Sequence, residues 1–466
     1  MEKKEKVIEK VKEKLEKEKT MVVSVKEGAA ASVMSGFTDS YVTPFALAIS
    51  ANNAIIGLLS SIPSLLAPIS QIFGSKLMEN NSRKKILTIF VTLHALMWLP
   101  ILSLSLLFWK NIFSMYLPLI LIVFYSIYAI FGAIGGPAWF SLLGDIVPEK
   151  IRGRYFGKRN KISGIIALLA AVMAAFILDF FKTHGMVLIG FSVLFLVAFL
   201  ARMISAHLIT KHYEPKFKLE KGYYFSIWQF IKKAPHNNFG KFVIFIALIN
   251  LTVNIAGPFF AVYMLKDLGF SYITFMLVNI SASIFSILFM PIWGKFSDKF
   301  GNRELLKIGS IIVPIIPLTW LFSSNPLYLI LVPQLLNGIG WAAFNLALGN
   351  FIYDSVSPQR RGICVAYLNV LAGIGVFIGA TLGGILAQYL TISFMNNLLF
   401  LFLISGILRI TVALIFIPRI KEVKQVEKPK QNLFAYFKEI NPIKGVIYEV
   451  IDDVRNIKDV IIFRRK

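Results

Sequence analysis

The sequence has little of what metal centres, disulfide scaffolds and enzymes need. Its 466 residues include one cysteine and five histidines, so an intrachain disulfide is excluded and no metal site is expected. No phosphate-binding loop and no nucleophile placed with a base is found, so nothing points to an enzyme or a cofactor. Charge is also scarce: 16% of the residues are charged and 56% are hydrophobic, against about 25% and 45–50% in soluble domains.

Long charge-free runs are what the sequence has instead. A mostly apolar run of about 20 residues crosses the hydrocarbon layer as a helix, and the mean hydropathy of the chain is +0.70. We therefore predict an all-α integral membrane protein with twelve transmembrane helices. The predicted spans lie near 29–49, 53–73, 86–108, 112–135, 162–181, 186–209, 242–265, 272–293, 306–323, 327–350, 365–389 and 397–417.

The net charge of +24 does not indicate a nucleic-acid partner, because the basic residues follow the order of the spans. Nearly all Lys and Arg of the turns lie in the turns after even-numbered spans. This is the positive-inside bias, and it predicts that these turns and both termini face the cytoplasm. We expect a multi-pass protein of the plasma membrane whose surroundings are the lipid bilayer.

Two of the charged turns share one pattern, an aspartate and an Arg-Gly pair with six residues between them. The matching residues are Asp145, Arg152 and Gly153 after span 4, and Asp354, Arg361 and Gly362 after span 10. Such a repeat predicts two parallel six-span bundles with a solute site between them near the bilayer midplane. The predicted segments are a Lys/Glu-rich tail at 1–27, the bundles at 28–209 and 242–418, a central loop at 210–241, and a tail with an amphipathic helix at 419–466.

A third turn, GKFSDKFGNR at 294–303, carries a resemblance to a known family. It matches the G-x-x-x-D-[RK]-x-G-x-R signature of the major facilitator superfamily through Gly294, Asp298, Lys299, Gly301 and Arg303. The first-half copy has Met78 in place of the aspartate. The copy keeps Gly74 and a basic end that includes Arg83, and Glu79 stands one position after Met78. The sequence resembles this family over residues 28–420.

The resemblance implies a prokaryotic-type secondary transporter with twelve helices. Such a protein would move a small organic solute, which is sugar-like, amphipathic or drug-like, by alternating access coupled to protons. It would act as a monomer and need no cofactor. A passive uniporter and a transport-inactive sensor or scaffold with the same fold remain as alternatives.

The acidic residues of the charged turns are expected to form latches. Acidic residues contribute little to topology, so Asp145, Asp298 and Asp354 need another explanation. Hydrogen-bonded charge pairs at the membrane edge can hold helix ends together in one conformation. For the basic residues, such as Lys299, the alternative is that they only fix topology.

Asp39 lies in the middle of the first predicted span. Ionisable residues inside spans are rare and mark functional sites. We therefore predict that Asp39 is the proton- or cation-coupling residue. The alternative is a structural aspartate that accepts hydrogen bonds from Thr38, Ser40 or Thr43.

Uncharged polar and aromatic residues predict the solute cavity. Amides at helical spacing form one stripe in span 7 and another in span 10, and span 4 contributes aromatic walls. The predicted lining residues are Tyr125, Tyr128, Trp139, Asn250, Asn254, Gln334, Asn337, Trp341, Asn345 and Asn369. For any single asparagine the alternative is an interhelical hydrogen bond.

Two intramembrane arginines are predicted to be structural. Arg202 and Arg409 occupy equivalent positions in spans 6 and 12. Both lie close enough to a predicted cytoplasmic end for their side chains to snorkel to it. His94, a single histidine in span 3, is expected to be a packing residue.

Overall fold

A computed structural model describes residues 2–148, 151–215 and 226–423. Over these ranges the regular structure is helical and contains no strand. The helices are α1 (Glu2–Thr38), α2 (Val42–Ala48), α3 (Asn53–Leu77), α4 (Arg83–Leu96), α5 (Trp98–Trp109), α6 (Leu117–Ile146), α7 (Arg152–Thr183), α8 (Val187–Ile209), α9 (Ile227–Lys233), α10 (Asn238–Ala256), α11 (Phe259–Val262), α12 (Tyr272–Phe300), α13 (Asn302–Thr319), α14 (Pro326–Leu329), α15 (Leu335–Ser355), α16 (Pro358–Tyr389) and α17 (Asn397–Phe416).

Short turns of other helix types extend several of these elements. Two are 3-10 turns, at Ala234–His236 and Ile417–Arg419. Two are π turns, at Tyr263–Asp267 and Ile330–Gln334. The predicted amphipathic helix of the C-terminal tail lies outside the described residues.

Ten helical segments of the described chain are long and apolar enough to cross a membrane. This confirms the prediction of an all-α membrane protein. The first and ninth predicted spans are not among the ten. The ninth falls on α13, which is 18 residues long and begins with the polar sequence NRELLK.

The first predicted span is divided between two helices. α1 ends at Thr38 and α2 begins at Val42, so Asp39 lies at the break between them. The Thr38 hydroxyl donates to the Met34 carbonyl at 2.9 Å, and the Tyr41 amide donates to the Thr38 carbonyl at 2.8 Å. These bonds close the last turn of α1, as side-chain and turn contacts do where helices end.

The chain divides into two compact units. The first contains Met1–Tyr224, Ile246–Met276 and Ala366–Leu401. Within it, α1 packs against α7 and α8, α3 packs against α6, and α4 packs against α6 and α8. Apolar residues of α4, α6 and α8 form one core. It consists of Ile86, Leu87, Val91, Ala138, Leu142, Leu143, Ile146, Ala206 and Ile209.

The second compact unit contains Phe225–Phe245, Leu277–Val365 and Phe402–Lys466. Within it, α13 packs against α15. The indole of Trp293 is fully buried and donates to the Ile339 carbonyl at 3.0 Å, as buried tryptophans usually do. The domain boundaries predicted from the sequence stay a prediction.

Candidate functional site

Arg83 joins three segments of the first unit at an end that is predicted to face the cytoplasm. Its side chain is fully buried at the start of α4, and its Nη1 donates to Asp145 Oδ2 at the end of α6 at 2.6 Å. The Arg83 backbone amide donates to Glu214 Oε1 at 2.7 Å, and its Nη2 donates to the Pro215 carbonyl at 3.2 Å. We call Arg83, Asp145 and Glu214 the first junction.

The second unit contains the same arrangement on its equivalent helices. The Arg303 backbone amide, in the first turn of α13, donates to Glu422 Oε2 at 2.7 Å, and its Nε donates to the Ile420 carbonyl at 2.7 Å. The Asn302 amide donates to Asp354 Oδ2 at 2.6 Å. We call Asn302, Arg303, Asp354 and Glu422 the second junction. In each junction a carboxylate from the segment after the last helix binds the first turn of α4 or α13.

The two junctions differ in charge. In the first, a buried guanidinium binds the aspartate that ends α6. In the second, the neutral amide of Asn302 binds the aspartate that ends α15. Both hydrogen bonds end on a charged carboxylate, but only in the first is the donor charged as well, so that bond also gains the attraction between opposite charges. The first junction is therefore expected to be the stronger of the two.

Two glycines of the signature have structural reasons for their presence. Gly301 has φ +89° and connects α12 to α13, a left-handed conformation that residues with a Cβ rarely adopt. Gly74 lies on α3, where a Cβ atom would come within 2.3 Å of the Ile134 carbonyl oxygen of α6. The first glycine permits a tight turn and the second a close contact between helices.

The other motif residues lie around these junctions. Arg152 donates to the Gly144 carbonyl at 2.9 Å, and the Arg361 guanidinium lies 4.6 Å from the ring centre of Tyr353. Lys299 lies over the ring of Phe300. The remaining motif residues lie near the same helix ends; they are Glu79, Gly153, Gly294, Asp298 and Gly362. A Cβ atom added at any of these three glycines would meet open space.

His212 is buried in the segment that leads to Glu214. It is 1% exposed, and neither ring nitrogen has a hydrogen-bond partner among the described residues. Burial lowers the pKa of His212 below its ordinary value, and the nearby Lys84 and Arg159 lower it further against the opposing effect of Glu27. The imidazole is therefore neutral at pH 7.

A buried carboxylate that lies outside every predicted motif connects α1 to α7 and α8. Glu27 is 3% exposed, and its Oε2 accepts from Arg159 Nη2 at 2.9 Å. Its Oε1 accepts from the Ser205 hydroxyl at 3.0 Å and lies 3.9 Å from Arg202 Nη1. We call Glu27, Arg159, Arg202 and Ser205 the Glu27 cluster.

Both predicted structural arginines are held inside the protein. Arg202 Nε donates to His94 Nδ1 at 3.1 Å, and the His94 ring stacks on Tyr128. Arg409 is 2% exposed and donates to Ser405 Oγ and to the Val313 carbonyl, each at 3.1 Å. Neither arginine needs to snorkel, because each has partners within its own unit.

Asp39 is exposed at the break between α1 and α2. The Thr38 hydroxyl lies 3.4 Å from Asp39 Oδ1, and the Asp39 backbone amide donates to the Ser35 carbonyl at 2.8 Å. A break in a helix leaves backbone groups free to bind ions and polar ligands. Its coupling role stays a prediction, as does the structural alternative.

The predicted lining residues fall into several groups. In the first unit Tyr125 stacks on Tyr128, and Trp139 lies under the Arg159 guanidinium. The amides of Asn250 and Asn254 donate to backbone carbonyls of their own helix. In the second unit the Asn337 amide donates to Gln334, Trp341 contacts Phe344, and Asn345 is exposed.

Asn369 lines a cavity of about 490 Å³ within the first unit. The cavity lies between α3, α6 and the part of α16 that belongs to this unit. Its polar wall consists of Ser64, Gln71 and Asn369, and Asn369 Nδ2 lies 3.5 Å from Gln71 Oε1. Of the predicted lining residues, Asn369 alone is part of this wall.

Sequence reasoning missed several residues that the fold brings together. Glu27 is the last charge before the first predicted span, and Glu214 and Glu422 follow the ends of spans 6 and 12. Because Glu214 and Glu422 occupy equivalent positions after the two halves, the internal repeat could have identified both. No such repeat signal identifies Gln71.

Comparisons with known proteins identify the family of this chain. The profile of the Major Facilitator Superfamily matches residues 28–253 and 241–451. The vacuolar basic amino acid transporter 2 of Saccharomyces cerevisiae is 35% identical over 106 residues, which are 22% of this chain and 22% of that protein. The match thus spans less than two thirds of that relative.

Solved structures show the same fold at low identity. The chain matches the nucleoside transporter NupG with a TM-score of 0.61 and 17% identity, over 86% of this chain and 99% of that one. A D-xylose-proton symporter matches with a TM-score of 0.62 and 16% identity, over 88% and 98% of the two chains.

Proposed function

Because this chain belongs to the major facilitator superfamily, we propose that it is a secondary transporter. It moves a small organic solute, which is sugar-like, amphipathic or drug-like, by alternating access. The observation that carries the proposal is the pair of equivalent junctions. Each joins the start of one helix to the end of a second helix and to the segment after a third by hydrogen bonds. Discrete contacts of this kind can form in one conformation and break in another, which a transport cycle requires.

Reconstitution of the purified full chain into liposomes tests this proposal. With a pH gradient imposed, at least one solute from a broad panel is expected to accumulate inside, and protein-free liposomes are the control. A solute that equilibrates but never accumulates would favour the passive uniporter. If no solute of the panel crosses, the result would favour the alternative that the protein is a transport-inactive sensor or scaffold.

We further propose that Asp39 couples transport to protons. Its position at a helix break and its exposure support this role, because a titrating group must exchange protons with water. Moving one charge through 100 mV is worth about 2.3 kcal/mol, so a single carboxylate can drive the cycle appreciably.

Asp39→Asn is expected to separate binding from coupling. The amide keeps the shape of the side chain but cannot titrate. We expect solute exchange without a gradient to continue at a similar rate, and accumulation driven by a pH gradient to be lost. Asp267→Asn, at another exposed carboxylate, is the matched control and should accumulate solute normally. Accumulation by Asp39→Asn at the wild-type level would leave Asp39 as a structural residue.

A further inference from the structure

The cavity beside Asn369 has the size of a small-molecule site. Its volume of about 490 Å³ falls within the range of roughly 300–1,000 Å³ that is typical of ligand pockets. It is formed by α3, α6 and the part of α16 that belongs to the first compact unit.

Two of the three polar residues of the cavity wall, Gln71 and Asn369, form an amide pair with a long hydrogen bond. The 3.5 Å between Asn369 Nδ2 and Gln71 Oε1 exceeds the usual range for an N–H donor. Each amide offers two N–H donors and one carbonyl acceptor, and both side chains are half-buried. The pair therefore retains donors and acceptors for a ligand that presents both kinds of group along one edge.

The charge of the wall indicates the charge of the ligand. The described residues that line the cavity are all uncharged. A charged solute would find no counter-charge here to offset the water that it gives up on binding. A solute without net charge has no such cost.

The remaining walls are apolar and mostly made of small residues. Gly132, Gly136 and Gly373 line them together with alanines, and Pro68 and Val376 are the larger residues. Such walls offer an apolar surface on which the face of a planar ring can pack. The amide pair lies at one side of this surface.

We infer that this cavity is the solute subsite of the proposed transporter, and that it takes an uncharged planar molecule with an amide-like edge. The inference rests on the proposed function for its role in transport, but the binding itself can be measured without transport. The chemical class comprises aromatic and heterocyclic amides, of which benzamide, nicotinamide and uracil are simple members.

Probes that differ only in charge test this inference. Ligand-observed NMR on the purified full chain would compare benzamide with benzoate and benzylamine, and nicotinamide with nicotinate, with uracil as a further neutral probe. We expect the neutral amides to bind and their charged analogues to bind about tenfold more weakly or not at all. Equal binding of charged and neutral analogues, or no binding of any neutral amide, would overturn the inference.

A methyl group added inside the cavity tests its location. A Cβ at Gly136 would lie 3.6 Å from Gln71 Nε2, an ordinary contact that covers the amide. We expect Gly136→Ala to weaken the binding of the neutral amides by about fivefold or more. Gly135→Ala is the matched control, because its Cβ would meet Leu87 Cδ2 at 3.8 Å and Gly135 does not line the cavity. Equal effects of the two changes would place binding elsewhere.

The failure of this inference can be told from the failure of the proposed function. If neutral amides bind in a Gly136-dependent manner but no solute crosses the membrane, the site stands and the transport proposal falls. If solutes cross but only charged ones do, or if Gly136→Ala transports neutral amides at the normal rate, the subsite assignment falls alone. Asn369→Leu is a second variant, and its melting temperature shows whether a loss of binding reflects unfolding.

Discussion

Replacing Glu27 with glutamine is expected to lower the free energy of unfolding by about 3–5 kcal/mol, the usual cost of removing one partner from a buried ion pair. Glu27 is 3% exposed and accepts from Arg159 and Ser205, with Arg202 at 3.9 Å. Glutamine fills the same space, so the loss is one of charge and not of volume. The Arg159 and Arg202 guanidinium groups would then both lose the carboxylate that lies beside them.

Denaturation in mixed micelles, followed by circular dichroism, measures this loss. Glu18→Gln is the matched control, because Glu18 is an exposed residue of the same helix. We expect the control to change stability by about 0.5 kcal/mol or less, as exposed substitutions usually do. Equal losses of free energy of unfolding in the two variants would mean that the Glu27 cluster contributes little to stability.

A double variant separates charge from other effects. The double variant Glu27→Gln, Arg159→Gln removes the positive charge that Glu27→Gln alone leaves unpaired. Its loss of free energy of unfolding should therefore be smaller than the sum of the losses of the two single variants. Coupling of this kind is expected for residues in direct contact. A purely additive result would show that Glu27 and Arg159 stabilise the unit independently.

The Glu27 cluster also fixes the helix on which the proposed coupling residue depends. α1 runs from Glu2 to Thr38 without interruption and ends directly before Asp39. The cluster binds this helix to α7 and α8 three turns before its end. Glu27→Gln is therefore expected to reduce gradient-driven transport as well as stability.

Hydropathy and charge were enough to predict the class of fold. Ten of the twelve predicted spans coincide with long apolar helices, because bilayer thickness imposes a length and a composition that are visible locally. The break at Asp39 was not visible in this way, since residues 29–49 remain apolar on both sides of it. Charge alone marked Asp39 as unusual within its span.

The contacts of the site depended on packing that no local pattern reports. Glu27 follows a lysine and precedes a glycine, and read in sequence it belongs to the charged tail. Its burial is set by Arg159 and Arg202, which lie more than 130 residues away in the chain. Gln71 likewise became part of a cavity wall only when α16 brought Asn369 beside it.

The amide stripes illustrate the same limit. Asn250 and Asn254 lie one turn apart and on one face, as their spacing predicts, but their amide groups donate to carbonyls of their own helix. Helical spacing indicates which residues share a face. It does not indicate whether a side chain turns back to its own backbone.

Arg83→Gln is expected to slow transport by about tenfold or more, which corresponds to about 1.4 kcal/mol. The guanidinium of Arg83 donates to Asp145, Ser141 and the Pro215 carbonyl. A hydrogen bond to a charged group is worth about 1.5–3 kcal/mol, so the loss of one is enough to shift the balance between two conformations by this factor. Initial rates of solute uptake into proteoliposomes measure the effect.

Lys85→Gln is the matched control for Arg83→Gln. It removes an equal charge from an exposed position two residues away, so it tests whether the charge acts only on topology. We expect Lys85→Gln to transport at nearly the normal rate. If both changes slow transport equally, the first junction is not a latch and its charges only orient the chain.

Arg83→Lys tests the geometry of the first junction. Lysine keeps the charge but presents a single ammonium in place of a planar fork, so it cannot reach Asp145 and the Pro215 carbonyl from one rigid group. We expect an intermediate rate that lies between those of wild type and Arg83→Gln. A normal rate in Arg83→Lys would show that charge is sufficient and that the fork is not required.

The second junction supplies the final comparison, because it binds its aspartate with a neutral amide. Asn302→Ala removes the 2.6 Å hydrogen bond to Asp354 and the hydrogen bond that the Ser297 hydroxyl donates to Asn302 Oδ1. It leaves the backbone contact between Arg303 and Glu422. Losing a neutral donor costs less than losing a buried guanidinium, so Asn302→Ala is expected to slow transport less than Arg83→Gln. The reverse order would mean that the second unit, and not the first, limits the rate at which the conformations exchange.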